Sequence, residues 1–342
     1  MRALTVARPE AIETPGNKSK RVHDSILDAV GNTPLVRLGR FVGDGPAQVF
    51  AKIEFMNPMG SIKDRLARYL VERAERDGRL KPGMTLLEAS SGNTAMGMAM
   101  VAILKGYRCK MIVRDSITRE KRSFLRALGV DVIEVDHTLP REHPGSYNNI
   151  AARLAATEPN AYFPDQHNNR ENNEAHYHST GPEIWDQMEG RIDYLVCGIG
   201  TGGTLSGTAR YLKERDPRVQ VVAVDPVGSV LGDYWKTRQL PESGRYLVEG
   251  LGDECIIGCV EFDLIDDVIK IHDKDAFLAA RELARTEALM AGGSSGAAAW
   301  AARTLAHRLD RPARIVTVLP DSAFRYMSTV YNDEWLREKG ML

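Results

Sequence analysis

In the segment NPMGSIKDR, Lys63 follows a Gly-Ser turn and opens a run with helical spacing. A helix N-terminus favours anions, so an ammonium is electrostatically out of place there. Such a position lowers the pKa of an amine and keeps it nucleophilic. Position alone equally allows a plain surface lysine. The segment EASSGNTAMG sets Ser90, Ser91, Gly92, Asn93 and Thr94 in a row before a second helical run. Free N–H groups and hydroxyls at such a turn form a carboxylate cradle, and an ordinary N-cap needs only one of them. In CGIGTGGTLSG, an apolar run ends and Gly200, Thr201, Gly202, Gly203 and Thr204 turn the chain into a helix. Backbone amides approach a phosphate closely only where side chains are absent, so this turn suits an anion. In MAGGSSGAAA, Ser294 follows Gly292 and Gly293, either as a helix cap or as a hydroxyl beside a ligand. The segment LPDSAFRYMS reads first as a strand-to-loop turn.

The third segment also satisfies a rival pattern. Gly198, Gly200 and Gly203 match GxGxxG, and Asp225 lies 22 residues after Gly203 at the end of the next apolar run. That is the fingerprint of dinucleotide binding, with the acid expected on the ribose. An NAD(P)-dependent oxidoreductase is therefore the rival reading. No hydride-transfer acid or base accompanies it, whereas Lys63 and the Ser/Asn turn fit a lysine-linked cofactor with one terminal phosphate.

These segments need a scaffold, and the pattern around them supplies one. Strands are predicted at 49–55, 85–89, 108–114, 130–136, 194–200, 219–225 and 314–320. Helices are predicted at 64–78, 95–106, 121–129, near 205–215, at 275–289 and at 296–308, with a loop at 137–149 containing Pro140, Pro144 and Gly145. Alternating strands and helices predict mostly parallel sheets covered on both faces. Ligands of such sheets bind at the carboxyl ends of strands, and the chemical segments lie at such places.

Composition narrows the partners. The chain has 342 residues, 43% of them hydrophobic, which suits one large or two medium domains. With 27% charged residues and a formal net charge of −1, it lacks the basic surface that nucleic acid demands. Small-molecule substrates are expected. The four cysteines, Cys109, Cys197, Cys255 and Cys259, form no CxxC pair, so no zinc site is expected and the thiols read as reduced. The first 20 residues lack a signal-peptide core, and no apolar run approaches the ~20 residues of a membrane span. The expectation is a cytoplasmic protein, without membrane or metal, beginning with an arm at 1–22.

Taken together and in this order, the segments resemble the fold-type II pyridoxal 5'-phosphate enzymes of the cysteine synthase and cystathionine β-synthase family. The resemblance runs from GNTPLVRL at 31–38 to EWLREKGML at 334–342. It rests on NPMGSIKDR, SSGNT, DQHNNREN with AHY, GTGGTLSG, VEGLG, GGSSG and LPDS. VDPVGSVL, VEGLG and the ending lean towards the cystathionine β-synthase branch.

The resemblance implies an α/β fold like the tryptophan synthase β-subunit, with two domains and the cofactor in the cleft between them. The smaller domain would span about 50–165 and move on substrate binding; the larger would take 23–49 plus 166–342, with no regulatory module. Lys63 would be the Schiff-base lysine and then move the Cα proton. Asn93 would hold the cofactor's 3'-oxygen, Gly200, Thr201, Gly202, Gly203 and Thr204 its phosphate, and Ser294 its pyridine nitrogen. Ser90, Ser91, Thr94 and Gln166 would bind the substrate carboxylate. A hydroxyl at the pyridine nitrogen makes a weaker electron sink than a pyridinium, which favours loss of the β-substituent to an aminoacrylate. The implied reaction is β-replacement on L-serine or an O-activated serine, first as a cystathionine β-synthase using homocysteine. A cysteine synthase using sulfide, or a diaminopropionate-type synthase using an amine, is the alternative. A homodimer is the family's usual state.

Two departures bear on substrate fit. Ser90 and Ala95 stand where the family usually has Thr and Gly. Asp253 follows VEGLG where a Tyr or a small residue is usual, and so becomes a candidate contact for the second substrate. Animal members carry an N-terminal haem segment with a Cys ligand; no Cys precedes Cys109 here, so haem is not expected.

Overall fold

The computed structural model describes residues 22–139 and 143–342. Its strands are β1 (Leu35–Arg37), β2 (Ala47–Ile53), β3 (Thr85–Ala89), β4 (Arg108–Arg114), β5 (Asp131–Val135), β6 (Ala161–Tyr162), β7 (Tyr194–Gly198), β8 (Gln220–Pro226), β9 (Asp267–Ile271) and β10 (Ala313–Leu319). They form a six-stranded sheet, order β1-β2-β10-β7-β8-β9, and a four-stranded sheet, order β5-β4-β3-β6. Every pairing is parallel except β1 with β2. Strands buried on both faces need apolar residues at successive positions, as in VVAV of β8 and IVTVL of β10.

The helices are α1 (Gly39–Val42), α2 (Lys63–Arg76), α3 (Asn93–Lys105), α4 (Arg119–Ala127), α5 (Tyr147–Thr157), α6 (Glu171–Tyr177), α7 (Thr180–Gln187), α8 (Gly203–Arg215), α9 (Leu231–Thr237), α10 (Asp273–Glu287), α11 (Gly293–Arg308) and α12 (Asp333–Glu338). On α2, Leu66, Leu70 and Val71 recur at helical spacing and are fully buried against the core of the smaller sheet. Each such burial contributes about 1.5–3 kcal/mol.

The expected alternation is present, with corrections. The smaller unit was placed at about 50–165, but β2 pairs with β10 in the six-stranded sheet. The boundary therefore falls after residue 53: β2 is a central strand of the larger unit, and α2 packs on the smaller one. Several helices start one to three residues before the expected points. The residues added at their starts, such as Lys63, Asn93, Gly203 and Asp273, carry no apolar mark. Helix α5 occupies the end of the expected 137–149 loop. Strands β1, β6 and β9 were not anticipated; the first two are only 3 and 2 residues long, too short for a period to show. Apart from residue 22, the expected arm lies outside the described residues, as does Pro140. Among the described residues, no helix is long and apolar enough to cross a membrane.

Candidate active site

In parallel sheets all strands end on one side, so the loops after β2, β7 and β10 meet at one edge. The turn before Lys63 is tied to that edge. The N–H of Ile62 donates to the carbonyl of Pro320 (2.8 Å), just past β10. Two residues on, Arg65 grips Glu54 through Nε (2.7 Å) and Nη2 (2.8 Å), and Glu183 through Nη1 (2.6 Å) and Nη2 (2.7 Å). Arg65 and Glu54 are buried, so this two-sided pairing holds the first turn of α2 in one position. Lys63 is the first residue of that helix.

Lys63 lines two adjoining cavities. One, of about 240 Å³, is also lined by Ser90, Ser91, Asn93, Thr94, Gln166, Gly200, Thr201 and Asp253. The other is lined by Asn93, Gly200, Thr201, Gly202, Thr204, Ser294 and Asp321. Burial lowers the pKa of the Lys63 amine to about 8, against the opposing pull of Cys259, Cys197 and Asp321. The amine lies 3.5 Å from the Thr201 hydroxyl. The expected lysine, loops and serine therefore converge on one place, from segments spread over more than 200 residues.

Each loop has a local cause. Gly202 adopts φ +91, and a Cβ there would meet Val260 Cγ2 at 2.6 Å, so only glycine makes this turn into α8. Gly203 is already helical. Asn172 Nδ2 donates to the Thr201 hydroxyl (2.9 Å), and the buried His176 pairs with that of Thr204 (3.2 Å). Burial pushes His176 well below its usual pKa, so it is neutral. In the other loop, the Ser90 hydroxyl accepts from the N–H groups of Gly92 and Ala95 (both 3.3 Å), so it caps α3 while lining the cavity. The Thr94 hydroxyl donates to Gln166 Oε1 (2.6 Å). Asn93 Nδ2 donates to Asp321 (2.7 Å), which also accepts from the Tyr326 hydroxyl (2.6 Å).

The two acids singled out in the sequence, Asp253 and Asp225, both have hydrogen-bond partners. Asp253 reaches the cavity, but its Oδ1 accepts from the N–H groups of Glu254 (2.8 Å) and Cys255 (3.1 Å), the work of a loop turn. Asp225 does not serve a ribose. It is fully buried, and its Oδ2 accepts from Gly232 N–H (2.9 Å) and Lys270 Nζ (2.9 Å). It is absent from the lining of the glycine-loop cavity, so the dinucleotide reading fails on geometry.

The sequence profile of the family described as "Pyridoxal-phosphate dependent enzyme" matches residues 26–321. The chain belongs to this family. It is 40% identical over 336 residues to a cystathionine beta-synthase of Apis mellifera, covering 98% of this chain and 66% of that protein. It is 42% identical over 317 residues to an N-(2-amino-2-carboxyethyl)-L-glutamate synthase of Ralstonia nicotianae, covering 91% of this chain and 90% of that protein. A crystal structure of an O-acetylserine-dependent cystathionine beta-synthase from Helicobacter pylori superposes with a TM-score of 0.84 at 35% identity, covering 91% of this chain and all of that one. The chain spans 58–66% of the length of the curated cystathionine beta-synthases it matches, the Apis mellifera protein among them.

The residues present fit the cofactor of this pyridoxal-phosphate family. Asn93 lines both cavities and its buried Oδ1 has no hydrogen-bond partner among the described residues. The same holds for Oδ1 of Asp321. A buried orphan polar atom costs about 1–3 kcal/mol, and a polar ligand in the cavity removes that cost. A nucleophilic amine, an amide-rich turn and a hydroxyl at a helix start complete the donor set. Sequence reasoning passed over Asp321, Tyr326, Asn172 and Tyr147 as site residues. Tyr147 lines the larger cavity, and its hydroxyl donates to the Ala89 carbonyl (2.7 Å) at the base of the serine loop. Only the LPDS and DQHNNREN segments hinted at the first three, without roles.

Proposed function

We propose that this chain performs β-replacement on L-serine or an O-activated serine, with pyridoxal 5'-phosphate held through Lys63, and that it forms cystathionine from serine and homocysteine. The observation that carries the reading is the Lys63 amine, lowered in pKa by burial, in one cavity with Asn93, the glycine loop and Ser294. When bound, the cofactor draws electrons from the substrate's Cα and so permits loss of the β-substituent.

The chain's own residues do the rest. Lys63 Nζ anchors the cofactor, then takes and returns the proton at Cα; an amine titrating near 8 suits both directions. Backbone N–H groups of Gly200 to Thr204 receive the phosphate, with Thr201 and Thr204 oriented by Asn172 and His176. The Ser294 hydroxyl meets the pyridine nitrogen, and Asn93 the 3'-oxygen. Ser90, Ser91, Thr94 and Gln166 hold the substrate carboxylate. Movement of the smaller unit over it excludes water from the reacting carbon.

A second reading is an amine nucleophile in place of homocysteine. It is favoured by the Ralstonia relative, which this chain matches over 90% of that protein's length. The same proposal expects a cytoplasmic homodimer. Phe324, Met327 and Phe124 expose apolar surface around one groove, which a second copy would bury.

Purified protein should be yellow with pyridoxal phosphate, and Lys63→Ala should be colourless. Spectral titration with L-serine, O-acetyl-L-serine and O-phospho-L-serine identifies the first substrate. Adding homocysteine, sulfide or glutamate then identifies the second. Native protein that takes up no cofactor, or shows no spectral response to any of the three serines, overturns the proposal.

A further inference from the structure

Beside the cofactor cavity lies a larger one, of about 660 Å³, which shares Ser91, Tyr147, His167 and Asp253 with it. That volume is ordinary for a small-molecule site. Its lining is mostly polar and carries both signs of charge: Arg114 and Arg245, with Asp136, Asp253 and Glu254. Arg114 ends β4, and its guanidinium sits 5.3 Å over the ring of Tyr147, a residue that lines both cavities. Neither the Arg114 nor the Arg245 guanidinium forms an ion pair or hydrogen bond with any described residue, while Arg65 beside Lys63 is paired on both sides. Two guanidiniums in one concave surface, neither paired with a carboxylate of the described residues, are set to receive an anion.

Sulfide needs no such chamber, being one heavy atom. An amino acid carries a carboxylate and an ammonium, and a wall of both signs matches it. We propose that this cavity is the port of the second substrate, and that Arg114 and Arg245 receive the carboxylate of an amino-acid nucleophile. The inference rests on the β-replacement reading and adds the residues that select the nucleophile.

The test uses holoenzyme and the variants Arg114→Gln and Arg245→Gln. Two measurements are made: spectral titration with the first substrate, and KM for L-homocysteine or L-glutamate against KM for sulfide. The ratio of the amino-acid KM to the sulfide KM should rise about tenfold in each variant, the scale of one charge-assisted hydrogen bond. Arg114→Lys, which keeps the charge, should recover part of that rise; a merely structural role would raise both KM values together. An unchanged ratio overturns the inference. So does a shift confined to half-saturation by O-phospho-L-serine, because the arginines would then serve the leaving phosphate. Loss of the β-replacement reading has a different signature, since native protein would then give no spectral response to any serine.

Discussion

Lys63 and Glu88 illustrate how burial alone sets chemistry in this chain. With the Lys63 amine titrating near 8, the neutral, nucleophilic form grows as pH rises through that value. The rate of cofactor uptake by stripped protein, followed by visible absorption, should therefore rise between about pH 7 and 9. Glu88 is buried in β3, and its Oε1 accepts from the Ala89 N–H (2.9 Å). Burial pushes its carboxyl from 4.5 up to about 8, so it is largely protonated at neutral pH. The folded protein then holds a proton that the unfolded chain releases above 4.5. Its contribution to stability is complete below 4.5 and is lost as pH rises through about 8. Glu88→Gln removes that loss. In thermal unfolding, the variant should gain on the native protein as pH goes from 5.5 to 8.5, and an equal or shrinking gap would contradict the assignment.

At the scale of elements, the start of α2 decides where Lys63 points. Arg65 is held by Glu54 and Glu183, and Lys52 Nζ joins Glu183 (2.7 Å) and the Thr33 carbonyl (2.6 Å). Removing one partner of a buried ion pair leaves an uncompensated charge and costs about 3–5 kcal/mol. Glu54→Gln should lower unfolding stability by that order in a denaturant titration and release the first turn of α2, reducing cofactor occupancy. The opposite wall of the helix is α3. A Cβ on Gly97 would lie 3.0 Å from the Lys63 carbonyl oxygen and 3.2 Å from Ala67 Cβ. Gly97→Val should cost about 1–3 kcal/mol by overpacking, and it should weaken cofactor binding because the backbone that gives way carries Lys63. The corresponding check is a cofactor-binding isotherm beside the unfolding curve.

For the whole molecule, the question is how two sheets share one site. Side-chain contacts that cross between them include Asn93 to Asp321, Thr94 to Gln166, and Lys121 Nζ to Glu249 (2.7 Å). The last joins α4 of the smaller unit to the VEGLG loop of the larger at the mouth of the cofactor cavity. Glu249 is half exposed, so the pair is worth only about 0.2–1 kcal/mol. Lys121→Met should leave the global unfolding midpoint nearly unchanged while speeding hydrogen exchange in α4. Unchanged exchange would mean that the pair does not restrain the cleft.

How much of this was legible in the sequence follows from the range of each cause. Strand and helix alternation, the turn at Gly202 and the hydroxyl row from Ser90 to Thr94 express local backbone sterics and periodicity, so the α/β class and the lysine, glycine and serine segments could be read directly. The role of Asp225 was misread because its partner, Lys270, lies 45 residues on, across a strand pairing that no motif encodes. Asp321 was passed over as a turn because its partner Asn93 is 228 residues away. The place of β2 in the larger sheet and the pairing of Arg65 with Glu183 likewise depend on strand order and helix packing. By itself the sequence determined which segments could bind and react. Only the tertiary structure decided which of them face one another, because burial and long-range pairing exist only once the sheets are stacked.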